Sequence, residues 1–402
     1  MKTLFVTGMF RSGTTLMSRM LHAHPDIGLA SDGLFPFFKH LRSAVARRAG
    51  VASDSPFHAP LADYYFGEQK EVLDAILAAD LDPPLAPEER RLLLDRVATW
   101  CTGHPQYAPL LEPHVRDCPG ESFAVLLQGL LEVVHAVYGR GTATITAFKE
   151  VWTTEFIWAL ARSFPEMRFL CVVRDPRSVF ASKMHRQALY PPLFLARQWR
   201  KLAALSLLAA RDPALGPRVC VVRFEDLVLS PRDTTRQVCR FLDIAWNASM
   251  IRPESFVDGY GDPWRQNTAY GAGGTGFDPG AATSWEQALT GRETAFVEGL
   301  CWPEAGLFGY EARHAPDLAR LADMTVTPCL VEEHRLARWI KPFVTVSPTA
   351  TALEMGREFV RAAMLRQRPS MDQEHGRDLA ACCFLAGDIY EACARFVARG
   401  EG

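Results

Sequence analysis

The sequence predicts an α/β fold in which a parallel sheet is flanked by helices, with a helical insertion and a helical C-terminal extension. Three apolar runs carry this reading: Leu4 to Val6, Phe169 to Val173, and the stretch VCVV at 219–222. Each is free of charge, as suits a strand buried on both faces, and each passes through a short turn into a helical pattern. Strands that alternate with helices in this way pair in parallel. At 402 residues with 48% hydrophobic content, the chain is long enough to bury a large core.

The first unit, LFVTGMFRSGTTLMSRMLHAH at residues 4–24, has its turn at Gly8, Arg11, Ser12, Gly13, Thr14 and Thr15. Gly8 and Gly13 allow positive φ and close backbone approach to an anion. The helix that opens after Gly13 presents free N–H groups and a positive dipole end to the same place, so the turn reads as a phosphate cradle. Its spacing nearly matches the P-loop pattern G-x-x-x-x-G-K-[ST], with Thr14 where the lysine stands and the cation moved to Arg11. The stretch RSGTTLMSRMLHAHPDI resembles the 5′-phosphosulfate loop of sulfotransferases that use 3′-phosphoadenosine 5′-phosphosulfate (PAPS), and is most similar to the tyrosylprotein branch. The resemblance implies a P-loop-like sheet, with Arg11, Ser12, Gly13, Thr14 and Thr15 around the phosphosulfate.

A second motif, RFLCVVRDPRSVFASKMHR at 168–186, again runs from an apolar strand through a basic turn, here Arg174 and Arg177, into a helix. Arg174 and Ser182 are spaced as in the family's 3′-phosphate motif. An arginine offers bidentate, charge-assisted hydrogen bonds and the serine adds a hydroxyl; Arg186, one helical turn past Ser182, lies on the same face. Between the two motifs, Thr142 to Phe148 alternate and are rich in β-branched residues, so a strand is expected to end at Lys149. Ligands of open parallel sheets bind outside the carboxyl ends of the strands, which would set Lys149 beside the glycine loop. In the tyrosylprotein branch the matching lysine contacts the transferring group.

HPDIGLASDG reads as a short strand ending at Asp32. At this offset the tyrosylprotein enzymes carry a glutamate that takes the acceptor's proton. Asp32 is one methylene shorter, and Asp-Gly is also an ordinary turn pair. The cytosolic branch uses a histidine two residues after the lysine, where this chain has Val151; Glu150 is the alternative base. Glu225 and Asp226, in VCVVRFEDLVLSPRDTTRQVCRFLDI, read as scaffold, followed by a helix with Ser230 as cap and Pro231 at its first position. Trp285 resembles a tryptophan near the end of the family's core, with Ser284 where the family has lysine; Thr283, in the same stretch, is a further candidate nucleotide contact. The glycine-rich GAGGTGFDPG before it reads as a loop that orders over bound nucleotide.

The resemblance covers 1–33 and 142–300, which are taken as the PAPS-binding core. Residues 34–141 form a mostly helical insertion leaving the sheet at its catalytic edge, placed to wall the acceptor pocket; Phe35, Phe37, Phe38, Tyr64, Tyr65 and Phe66 supply aromatic surface there, although a satellite core is the commoner use of such a cluster. Residues 301–402 form a helical extension, a lid, dimer contact or packing element, and the oligomeric state is open. A net charge of −2 gives no basic field for nucleic acid. The ten cysteines show no CxxC pair or His/Cys cluster, so neither zinc nor a disulfide framework is expected. The first strand opens at residue 3 and no apolar run reaches the roughly 20 residues of a membrane span. Unlike the Golgi-anchored tyrosylprotein enzymes, a soluble, cytoplasmic protein is therefore expected.

Together these imply a sulfotransferase that moves a sulfuryl group from PAPS to a hydroxyl or amine of a small metabolite, natural product or peptide tyrosine. It would release adenosine 3′,5′-bisphosphate and need no metal. Lys149, Asp32 and Arg11 would act in catalysis, and Arg174, Ser182 and Arg186 would grip the 3′-phosphate. Two other readings are a P-loop small-molecule kinase using ATP and Mg²⁺, against which the missing lysine argues, and a catalytically silent nucleotide-binding protein.

Overall fold

The computed structural model describes residues 2–51, 60–65, 70–184, 192–264, 277–314, 348–369 and 374–400. The chain opens with β1 (Lys2–Gly8), α1 (Thr14–His22), β2 (Ile27–Ser31) and α2 (Phe35–Arg48). Helices α3 (Lys70–Ala78), α4 (Pro87–Cys101), α5 (Glu112–Val115) and α6 (Phe123–Tyr138) follow. Then come β3 (Ile145–Val151), α7 (Ile157–Ser163), β4 (Arg168–Val173), α8 (Pro176–Met184), α9 (Pro192–Arg211), β5 (Val219–Arg223), α10 (Phe224–Leu229) and α11 (Pro231–Leu242). The last described helices are α12 (Trp285–Ala288), α13 (Gly291–Cys301), α14 (Pro348–Gln367), α15 (Glu374–Phe384) and α16 (Gly387–Gly400).

Two compact units divide these elements: Met1–Asp63, Glu68–Val173 and Ala209–Pro279 in one, Tyr64–Gly67, Arg174–Leu208 and Gly280–Gly402 in the other. The first unit holds the five-stranded sheet, in the order β2-β3-β1-β4-β5, with every neighbouring pair parallel. The predicted parallel α/β sheet flanked by helices is the fold observed. Leu4, Phe5 and Val6 at its centre are fully buried, as an uncharged strand covered on both faces requires. At the carboxyl edge Gly8 pairs with Val151 of β3 on one side and Val172 of β4 on the other. Strand order reverses around β1, which creates the crevice where such sheets take ligands.

The predicted strand at 142–148 is displaced toward the C-terminus. Thr142 and Ala143 close a turn on the Gly139 carbonyl, and β3 starts at Ile145 and runs two residues beyond Lys149. The aromatic residues of α2 belong to the core of this unit. Phe37 and Phe38 are fully buried, with Phe38 5.8 Å from Phe5 and 5.1 Å from Phe156, ring to ring, while Phe35 lies 5.5 Å from Trp100. Ser230 stands at the N-cap of α11 with Pro231 at its first position, but its hydroxyl makes no capping bond; its carbonyl accepts from Thr234 instead.

In the second unit, Tyr64 and Tyr65 are buried and Phe66 lies outside the described residues. Helices α14, α15 and α16 supply Met364, Leu365, Ala380, Cys383, Phe384, Ile389, Tyr390, Cys393 and Val397 to an apolar cluster that also takes in Ala204 of α9. Arg200 of α9 is fixed to Glu358 of α14 by two hydrogen bonds of 2.5 and 2.7 Å, both side chains being buried. The described helices of the C-terminal extension thus bury their apolar faces in this cluster, as their periodicity requires.

Candidate active site

The glycine turn is built as its residue types demand. Gly13 caps α1 from the left-handed region at φ +87°, and a Cβ there would stand 2.1 Å from the ring of Phe224. Gly8 lets β1 approach β4, since a Cβ would meet the Val172 carbonyl oxygen at 2.3 Å. Between them Arg11 is itself left-handed, φ +68°, with its guanidinium 5.8 Å from the centre of the Phe10 ring. The Ser12 amide closes the turn on the Met9 carbonyl at 3.1 Å. Ser12 and Thr14 are buried, Thr15 is half-buried, and α1 begins at Thr14 with its first amides unengaged by any capping side chain.

Parallel register brings the other candidates to this turn. Val6 of β1 pairs with Lys149, and Lys149 in turn pairs with Ser31, the last residue of β2. Asp32 follows directly. Its amide donates to the Lys149 carbonyl at 2.7 Å and its carboxylate Oδ2 accepts from the Lys149 ammonium in a short, partly buried ion pair. Asp32 is held in the left-handed region, φ +49°, where aspartate is one of the few non-glycine residues at home. The sequence did not point to Trp100: its indole N–H, from the end of α4, donates to the Asp32 carbonyl at 2.8 Å, and the Cys101 thiol reaches the Gly33 carbonyl. Sixty-eight residues separate donor and acceptor. No local pattern marks such a contact.

Glu150, one residue on, pairs with Thr7 and is fully enclosed. Its Oε1 accepts the Leu34 amide at 2.5 Å, just ahead of α2. Burial, with the Asp32 charge second, pushes this carboxyl well above the usual carboxylate range, against the opposing pull of the Leu34 amide and Lys149. Arg19, one turn past Thr15 on α1, donates to the Gln106 carbonyl at 2.7 Å, and burial draws its guanidinium down to about 10. Buried polar atoms without a hydrogen-bond partner among the described residues gather here: Ser12 Oγ, Arg19 Nε, Ser31 Oγ, Asp32 Oδ1 and Glu150 Oε2. Buried polar atoms are ordinarily satisfied, so each of these is a group that a polar ligand could engage.

The second unit holds the remaining candidates. Arg174 is buried, and donates to the Ala281 carbonyl at 2.8 Å. Its own carbonyl accepts from the Trp199 indole. Ser182 is buried on α8. Arg186 lies outside the described residues, as does 265–276 with most of the glycine-rich loop. Arg177, the other cation of the basic turn, is engaged by Asp175 at 2.7 Å and Glu298 at 2.6 Å and lies 4.0 Å from the centre of the Trp285 ring. Thr283 is exposed and its carbonyl accepts from Glu286 at the start of α12. Glu225 and Asp226 occupy the first turn of α10.

Comparison with known proteins bears on the whole arrangement. Residues 3–248 match the model of a family described as the sulfotransferase family. Protein-tyrosine sulfotransferase 1 of Danio rerio is 23% identical over 64% of this chain and 57% of its own length. The protein-tyrosine sulfotransferase of Drosophila melanogaster is 24% identical over 64% of this chain and 41% of its own. Among solved structures, the sulfotransferase domain of the Synechococcus PCC 7002 olefin synthase aligns at a TM-score of 0.44 and 18% identity, over 77% of this chain and 94% of that one. The chain thus spans about half the length of these curated relatives. Their company overturns the expectation of a cytoplasmic protein. They are the tyrosylprotein enzymes with which that expectation was contrasted, and those are Golgi-resident membrane enzymes. Among the described residues no helix is long and apolar enough to cross a membrane. With the match extending over more than half its length, this chain belongs to the sulfotransferase family.

Proposed function

We propose that this chain transfers a sulfuryl group from PAPS to a hydroxyl or amine of a small metabolite, a natural product or a peptide tyrosine, releasing adenosine 3′,5′-bisphosphate. The observation that carries this reading is the meeting of a buried lysine, an aspartate with one unpartnered carboxylate oxygen and a lysine-free glycine turn at one sheet edge. The relatives' name supports a tyrosine hydroxyl as one form of the acceptor.

In the proposed reaction the acceptor oxygen attacks sulfur in line while the bond from sulfur to the bridging phosphate oxygen breaks. The acceptor's proton goes to Asp32, and the electron pair of the broken bond stays on the phosphate. Lys149 and Arg11 offset the charge that develops there, with Ser12, Thr14, Thr15 and the loop amides holding the phosphosulfate. Arg174, Ser182, Arg186 and Thr283 serve the nucleotide, the first three at its 3′-phosphate. Glu150 is the weaker choice of base, because its raised proton affinity and its bond to the Leu34 amide keep it occupied. No metal takes part.

Mass spectrometry of a panel of phenols, alcohols, amines and tyrosine peptides incubated with PAPS tests this. Addition of SO₃ to a member of the panel by the wild type, and not by Lys149→Ala, is the expected result. Transfer of phosphate from Mg-ATP without any sulfated product would refute the proposal.

A further inference from the structure

The Lys149–Asp32 ion pair sets the two groups assigned to catalysis against each other. An ammonium that shares its charge with a carboxylate has less to offer the phosphosulfate, and a carboxylate bonded to an ammonium is a poor base. Lys149 is 1% exposed, so water does little to weaken the attraction. Yet the place of Asp32 does not depend on the lysine's ammonium. Its backbone is fixed by the Lys149 carbonyl at 2.7 Å and by the Trp100 indole at 2.8 Å. The lysine side chain can therefore leave while the Asp32 backbone stays, with Oδ1, buried and without a hydrogen-bond partner among the described residues, left to take an O–H.

Building on the PAPS reading above, we propose that the sulfuryl donor unmasks the base: the phosphosulfate draws Lys149 off Asp32, and the acceptor is deprotonated only in the donor complex. Trp100 is the positioning residue that keeps Asp32 in place through the exchange. Water that enters before the donor meets a neutralised carboxylate, and the acceptor binds productively second. Competition between the phosphosulfate and Asp32 for one ammonium is the physical basis, so removing the carboxylate's charge must favour the donor.

Calorimetric titration of PAPS, without acceptor, into the wild type, Asp32→Asn, Lys149→Met and the double variant measures that competition. Asparagine tolerates the left-handed backbone and matches aspartate in size, and Asp32→Ser gives a second variant with the same readout. The expected result is that Asp32→Asn binds PAPS about tenfold more tightly than the wild type. On the Lys149→Met background the same substitution should change affinity by less than about twofold. Unchanged or weaker binding by both Asp32 variants, with normal binding by the wild type, overturns the unmasking and leaves the donor reading standing. A wild type that binds no PAPS overturns the donor reading and the unmasking together.

Discussion

At the scale of single residues, the proposed chemistry concentrates on Lys149, which is buried and whose single positive charge is already paired with Asp32. On the proposed mechanism Lys149→Ala removes the cation acting on the leaving oxygen, and kcat should fall by about 10² to 10³ at every pH while donor affinity changes less. Steady-state kinetics read the two separately. His22, at the end of α1, shows the opposite use of a titratable group. Burial, then the charges of Arg140 and Arg19, push its imidazole down to about 3, and its Nδ1 accepts the Leu29 amide. An unfolded chain would protonate this histidine near its ordinary 6.5, whereas the folded one resists until about 3. Its contribution to stability is therefore complete above pH 6.5 and is lost as pH falls through that window, at ~1.4 kcal/mol per pH unit. Thermal unfolding of His22→Gln should show a shallower loss between pH 6.5 and 4 than the wild type, and parallel curves would contradict this.

At the scale of elements, the strand–turn–helix from β1 to α1 is the part most legible in the sequence. An uncharged strand, two glycines and a run of hydroxyls leave few ways to fold, and Gly8 and Gly13 stand where a Cβ has no room. Gly13→Ala combines a strained left-handed backbone, on the order of 1 kcal/mol, with a clash against Phe224. It should lower Tm by several degrees and abolish donor binding; retention of both would show that the loop is not the cradle. Resemblance and position singled out Lys149 and Asp32 one at a time, but their ion pair was not legible, because register between β2 and β3 is invisible in the residues. Trp100 lay hidden for a related reason: it reaches Asp32 from a helix of the insertion. Arg177, named in the sequence only as part of a basic turn, is tied to Asp175 and to Glu298, the latter 121 positions away. The α9–α14 contact invites a separate test. Glu358→Gln leaves Arg200 buried with its charge unmatched and should cost about 3–5 kcal/mol, whereas Arg200→Met with Glu358→Leu should recover most of that stability. Denaturant unfolding of the two variants decides it.

At the scale of the whole molecule, sequence resemblance reached the family and the parallel sheet because both rest on the nucleotide-side motifs. It left two roles open for the aromatic residues after Asp32, pocket wall and satellite core, and of these Phe37 and Phe38 fill the core of the first unit. Pattern alone does not separate an aromatic that lines a pocket from one that packs under a sheet. It also misjudged compartment, which an apolar-run count does not determine. The central claim is that the chain is built for a nucleotide bearing both a 5′-phosphosulfate and a 3′-phosphate. Calorimetric comparison of adenosine 3′,5′-bisphosphate with 5′-AMP, each with excess EDTA present, tests it most directly. The account predicts at least about tenfold tighter binding of the bisphosphate, a difference lost in Arg174→Ala. Equal affinity for the two nucleotides would contradict it.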